Sequence, residues 1–351
     1  MFEHFAQRVK NSYAPIRISF LNEQEEQYRQ NPPFKGLKIL HNVPLTTATI
    51  IKLNALVVAG AEVTVTSPSF MTPEPTFLQA AIDAGMTWLP LSECTNMAFD
   101  VHLDCAAELL DITPPRLGTI ELTGTGTQKY QHSDLSFPCI SIDLSSVKAL
   151  ETCLGTGEAF VRAFNQLTGK SLVGKTATVF GFGKVGIGIA ERLRDIECHV
   201  SIVDSDPSKL TEANQNQFTA ISSNDIAAVE YAIESSFVVV TATGKTNCIG
   251  SKYRRSSFSN CWLANMGAED EFGDTFSEAD VLCEKRPINF SIDEPTRIEY
   301  LDPVFYAHNQ AIEILLQRSL SNGVHPYPQN ISDNIVARWK SIHNIEFTLE
   351  D

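Results

Sequence analysis

The sequence predicts an α/β protein with two parallel-sheet domains. Three observations predict it. Short β-branched segments alternate with amphipathic ones from residue 37 onward. The pattern closes at Thr168-Gly169 and then restarts. The restart carries a spaced glycine run, Gly181 to Gly188, between a strand and a helix. At 351 residues the chain exceeds one average domain and suits two.

The first 36 residues are polar and read as a helical arm packed on the surface, with the charged stretch Glu23 to Arg29 before Pro32-Pro33. Leu37 to His41 reads as a strand, and residues 45–59 as a helix ended by Gly60. Glu62 to Thr66 (EVTVT) alternates as a half-buried strand does. Residues 75–84 form a helical pattern ended by Gly85. Met86 to Leu89, Asp100 to Leu103 and Cys139 to Ile142 are further strand candidates. This order predicts a parallel sheet covered by helices.

After the helix 156–168, Thr176 to Phe180 reads as a strand and Gly188 to Ile196 continues a helix. His199 to Val203, Phe237 to Thr241 and Cys261 to Asn265 are strands, with a last candidate in Val281 to Ile288. Residues 303–320 and 331–343 read as amphipathic helices. The predicted domains are 1–155, completed by the helices of 301–351, and 156–300.

Acidic residues number 42 against 27 basic ones, a net charge of −15. That field disfavours nucleic acid and anionic membrane surfaces as partners. The eight cysteines are scattered, with no CxxC pair and no Cys/His cluster, so no metal site is expected. They read as free thiols of a reducing compartment. No run approaches the ~20 apolar residues of a membrane span. Met1 to Lys10 lacks a signal-peptide core, so a cytoplasmic protein is expected.

Gly181-Phe182-Gly183-Lys184-Val185-Gly186-Ile187-Gly188 follows a β-branched strand and opens a helix. This is the context in which GxGxxG binds a dinucleotide. Gly181 permits the tight turn, Gly183 lets backbone approach a pyrophosphate, and Gly186 lets helix and strand pack closely. Lys184 and Val185 open the helix whose N-terminus faces the phosphates. Asp204 ends the next strand at the spacing of an acid that grips the adenosine ribose. Its charge opposes a 2′-phosphate and no Arg follows it, so a Rossmann domain binding NAD is expected. Thr241, Thr243 and Asn265 lie at or just after later strand ends, where such a cofactor rests, and Asn289 completes the set.

At this point the chain resembles the adenosylhomocysteinase (S-adenosylhomocysteine hydrolase) family from about residue 37 to 340. His41 and Gly60-Ala61-Glu62-Val63 are similar to the family's His and GAEV. Leu103-Asp104 falls on its Leu-Asp-Asp-Gly-Gly, and Glu121 to Gly126 (ELTGTG) on its Glu-Glu-Thr-Thr-Thr-Gly. Residues 174–207, 240–244 and 265–267 match the cofactor segments, and Asn309-Gln310 matches a late Asn-Gln.

The resemblance implies that bound NAD oxidises a ribose hydroxyl, a thioether is hydrolysed, and the hydroxyl is restored. It implies S-adenosylhomocysteine or adenosine as substrate, and a homodimer or higher homo-oligomer. It implies catalytic roles for His41, Asp104, Glu121 and Lys148, and contacts from Thr123 and Thr125 to the cofactor. The family's second acids fall on Cys105 and Leu122, its early Thr and Glu on Val43 and Leu45, and a later His on Ala268. The chain ends FTLED, Phe347 to Asp351, where the family has a Lys and Tyr tail.

His308 is a further candidate base. Cys105 has no neighbour in sequence that would lower its thiol pKa. The active cleft is expected between the domains. Two alternatives stay open: an NAD(H)-dependent dehydrogenase of another substrate, and a non-catalytic NAD-binding regulator.

Overall fold

A computed structural model describes residues 1–317 and 319–345. The FTLED ending lies outside the described residues, as does position 318 in the stretch expected to be helical to 320. The chain forms two compact units: Met1–Lys148 with Ile298–Asp351, and Ala149–Arg297.

The first unit holds a seven-stranded sheet. Its strands are β1 (Lys38–Asn42), β2 (Glu62–Thr66), β3 (Thr87–Trp88), β4 (Val101–Asp104), β5 (Gly118–Glu121), β6 (Pro138–Ser141) and, late in the chain, β12 (Gly323–Pro326). The order is β12-β6-β5-β4-β1-β2-β3, with every pairing parallel. Strand order therefore reverses at β1, beside β4. In open parallel sheets ligands bind outside the carboxyl ends at such a reversal. His41 and Asn42 close β1, and Asp104 closes β4.

The second unit holds β7 (Thr176–Phe180), β8 (His199–Asp204), β9 (Thr219–Ser222), β10 (Val238–Thr241) and β11 (Trp262–Asn265). They form a parallel sheet in the order β11-β10-β7-β8-β9, which reverses at β7. Alternate residues of β7 feed opposite layers: Ala177 and Val179 join one apolar cluster, Phe180 the other. Both faces are buried, as a parallel sheet requires.

The N-terminal arm packs closely: the helices Phe2–Lys10 and Ser19–Gln30 bury Phe5, Phe20, Leu21 and Tyr28. Several elements differ from the sequence expectation. Val281 to Ile288 holds no strand. Cys283, Glu284 and Lys285 take φ of 54°, 57° and 66°, left-handed values that no strand contains. The strands β5, β9 and β12 escape a reading of the sequence. Each is short, and β5 and β12 open on glycine, a residue depleted in strands.

The late helix runs Ile298–Gln317, beginning before Pro303 rather than at it. Proline cannot donate to the carbonyl of residue 299. The Trp339 indole N–H fills that role, 2.7 Å from the Glu299 carbonyl.

Candidate functional site

In the second unit the glycine turn is built as its spacing predicts. Gly181 has φ +94°, and a Cβ there would stand 2.5 Å from the Ala242 carbonyl oxygen. A Cβ on Gly186 would stand 2.0 Å from the Gly181 carbonyl oxygen. Gly183 differs: no protein atom lies within 4 Å of its would-be Cβ, so that side of the turn is open. Gly183 also caps the helix Lys184–Asp195 without a side-chain bond. The first-turn amides thus remain available to a phosphate. Lys184 is exposed there, and Val185 packs against the core.

Asp204 stands at the end of β8. One carboxylate oxygen accepts the Phe182 amide at 2.7 Å and the other the Asp206 amide at 2.9 Å. A carboxylate has about four acceptor positions, so two sugar hydroxyls can still bind. A 340 Å³ cavity opens here, lined by Gly181, Gly183, Asp204, Thr243 and Tyr253 among others.

The small polar residues at later strand ends form one network. The Thr241 hydroxyl donates to Asn265 Oδ1 at 3.0 Å, and the Asn265 amide donates to the carbonyls of Glu269 and Lys285 at 2.7 Å each. Fully buried Glu271 accepts the Thr243 amide at 2.9 Å, its hydroxyl at 2.7 Å and the Gly244 amide at 2.7 Å. Burial raises the Glu271 pKa, opposed by the Thr243 bonds. Sequence reasoning missed Glu271 because an acid in an acidic stretch gives no periodic signal. Asn289 keeps a buried Oδ1 with no partner among the described residues. The open face at Gly183, the cavity at Asp204 and this orphaned oxygen all fit a bound dinucleotide.

In the first unit Asn42, Asp104 and Glu121 meet at the strand ends, with His41 one position earlier on β1, paired with Leu103. His41 is fully buried, and neither ring nitrogen has a partner among the described residues. Burial, then the Lys52 charge, pushes its pKa well below the usual value, so the ring is neutral. Lys148 is 3% exposed, in a short helix whose Val147 amide donates to the Ser332 hydroxyl at 2.9 Å.

Asp104 and Glu121 are tied into the loops that follow their strands. Asp104 accepts the Asn42 amide at 3.0 Å, the Cys105 amide at 2.7 Å, the Leu109 amide at 3.0 Å and the Tyr130 hydroxyl at 2.6 Å. Glu121 accepts the amides of Ala106 at 3.1 Å, Ala107 at 3.0 Å and Thr123 at 2.7 Å, and the Thr123 hydroxyl at 2.6 Å. Both carboxylates hold the loops after β4 and β5: each Asp104 oxygen accepts two bonds, while Glu121 Oε1 accepts three and Oε2 only the Ala107 amide. Burial, then the Glu121 charge, raises Asp104 to about 7, and burial raises Glu121. Thr123 caps the helix Gly124–Gln131 through its hydroxyl, so it too has a scaffold role; Thr125 is exposed.

Val43, Leu45, Cys105 and Leu122 are all buried. His308 is fully buried, with Nε2 3.1 Å from the Ile120 carbonyl. Among the described residues there is no cluster able to hold a metal, and no helix is long and apolar enough to cross a membrane.

Comparison with known proteins agrees with this geometry. Residues 152–295 match the family profile of the S-adenosyl-L-homocysteine hydrolase NAD binding domain. The chain is 24% identical to the S-inosyl-L-homocysteine hydrolase of Methanopyrus kandleri, over 93% of this chain and 88% of that protein. It is 26% identical to the adenosylhomocysteinase of Thermococcus kodakarensis, over 91% and 86%. A dipicolinate synthase from Bacillus subtilis shares the fold, with a TM-score of 0.51 at 11% identity, over 82% of this chain and 100% of that one. The cofactor of the second unit is NAD.

Proposed function

We propose that this chain, a divergent relative of the S-adenosyl-L-homocysteine hydrolase family, is an NAD-dependent enzyme that oxidises a sugar hydroxyl of a nucleoside-type substrate. One observation carries the reading. A neutral, fully buried His41 closes β1 where strand order reverses, with both ring nitrogens unpartnered among the described residues.

Bound NAD supplies a hydride acceptor. Gly181, Gly183 and Gly186 receive its pyrophosphate and Asp204 its adenosine ribose. Asn289 offers a buried acceptor to its carboxamide. On the substrate side, Lys148 takes the hydroxyl proton. His41, uncharged near neutral pH, is the base for the carbon acidified by oxidation. Burial excludes water from both groups.

The relatives' names point to nucleoside–homocysteine thioethers as the first substrates to test. One is named for an adenosyl and one for an inosyl substrate, so the base is left open.

A second reading, an NAD-binding regulator without catalysis, is favoured by the four bonds that engage Asp104. One experiment separates the two. The purified protein is assayed for bound nucleotide, then given S-adenosylhomocysteine, adenosine or inosine while the absorbance of reduced nicotinamide is followed. Reduction on addition supports oxidation. NAD that stays oxidised with all three substrates sinks the enzymatic reading for this class.

A further inference from the structure

Lys52 is the least expected buried group in the molecule. It lies in the helix Thr47–Val58, which folds back over the sheet after β1. A lysine usually carries its ammonium out to water along its apolar stem. Lys52 is 0% exposed, and its Nζ has no hydrogen-bond partner among the described residues.

Its surroundings are rich in nitrogen bases. The Lys52 carbonyl accepts the Asn309 amide at 3.2 Å, and the adjoining residue is His308. His308 Nε2 donates to the Ile120 carbonyl at 3.1 Å, which leaves Nδ1 as an unpaired acceptor among the described residues. Ile120 pairs with Leu103, and Leu103 pairs with His41. Three basic groups thus come together from β1, the helix Thr47–Val58 and the helix Ile298–Gln317.

Three carboxylates of the flanking helices have partners of their own. Glu25 takes Lys10 at 2.8 Å and Arg29 at 3.1 Å. Asp302 takes the amides of Phe20 at 2.8 Å and Leu21 at 2.9 Å. Glu313 takes the Tyr28 hydroxyl at 2.6 Å. Lys148 is a further basic group acting on His308. Two uncompensated charges in this interior would cost several kcal/mol each. The cluster therefore carries at most one proton in excess of neutrality.

We propose that Lys52 is a positioning residue for His41: the buried amine and the two imidazoles compete for a single proton, and Lys52 holds it in preference to His41, which stays neutral. Burial depresses Lys52 well below the ordinary lysine range, and its charge depresses both histidines. The proposal rests on the reading of His41 as the base.

The test is an NMR pH titration of the His41 ring and Lys52 Nζ in full-length protein, wild type and Lys52→Met, beside the pH profile of NAD reduction. In wild type His41 stays neutral across about pH 5–8. In Lys52→Met its midpoint rises by about one unit, tenfold in proton affinity. The melting temperature is unchanged or higher, because an unpartnered buried amine is gone. Should Lys52→Met fail to fold, Lys52→Gln carries the same expectation. An unmoved His41 midpoint overturns the proposal, as does a wild-type Lys52 that titrates at the ordinary lysine value. A moved midpoint in a protein that never reduces NAD leaves proton competition standing and removes the oxidation reading instead.

Discussion

Gly188 and Cys153 meet backbone to backbone: a Cβ on Gly188 would stand 2.0 Å from the Cys153 carbonyl oxygen. On the neighbouring helix, a Cβ on Gly157 would stand 2.1 Å from the Gly188 carbonyl oxygen. The fourth glycine of the motif thus seats the helix Lys184–Asp195 against the helix Thr156–Thr168. Gly188→Ala is expected to destabilise the protein by about 1–3 kcal/mol, the cost of overpacking. Urea unfolding checks it. An unchanged midpoint would show that the helices separate freely.

Asp204 retains acceptor positions beyond its two backbone bonds. Hydrogen bonds to a charged group contribute about 1.5–3 kcal/mol. Asp204→Ala should therefore weaken NAD binding roughly 10- to 100-fold. Calorimetry measures this directly. Equal affinity would move the ribose elsewhere.

Lys148→Met removes the group assigned to the hydroxyl proton. Loss of a proton-transfer group costs roughly 10²- to 10⁴-fold in rate. NAD affinity, measured by calorimetry, should stay as in wild type. A variant that reduces NAD at the wild-type rate clears Lys148 of that role.

Burial, then the Glu121 charge, raises the Asp104 carboxyl to about 7 from 3.8. The folded state then binds this proton more tightly than the unfolded chain does. Its stabilising effect is complete below about pH 4 and is lost as pH rises through about 7. Wild type should lose stability relative to Asp104→Asn across that window, by up to roughly 4 kcal/mol. Denaturant titrations at several pH values give the slope. A constant difference would mean the carboxyl titrates normally.

Asp302 receives the Phe20 and Leu21 amides at the start of the helix Ser19–Gln30. Asp302→Ala leaves two buried donors unpaired, at about 1–3 kcal/mol each. Thermal melting should show the loss. Wild-type stability in the variant would mean that water reaches this helix end.

The sequence by itself determined the dinucleotide turn. Gly181, Gly183, Gly186 and Asp204 carry their chemistry in local backbone conformation and strand-end position, and both can be read along the chain. It also determined most strands, because segments such as Val238 to Thr241 are buried runs of β-branched residues.

Tertiary structure alone decided three matters. It engaged Asp104 and Glu121 in loop amides, because their hydrogen bonds depend on backbone folded back from residues 106–109. It enlisted Glu271 to hold the Thr243 turn across 28 residues. It buried Lys52 beside two histidines from distant segments. A side chain's identity travels with the sequence. Its solvation and its neighbours' charges, which set whether it holds a proton, exist only once the chain is packed.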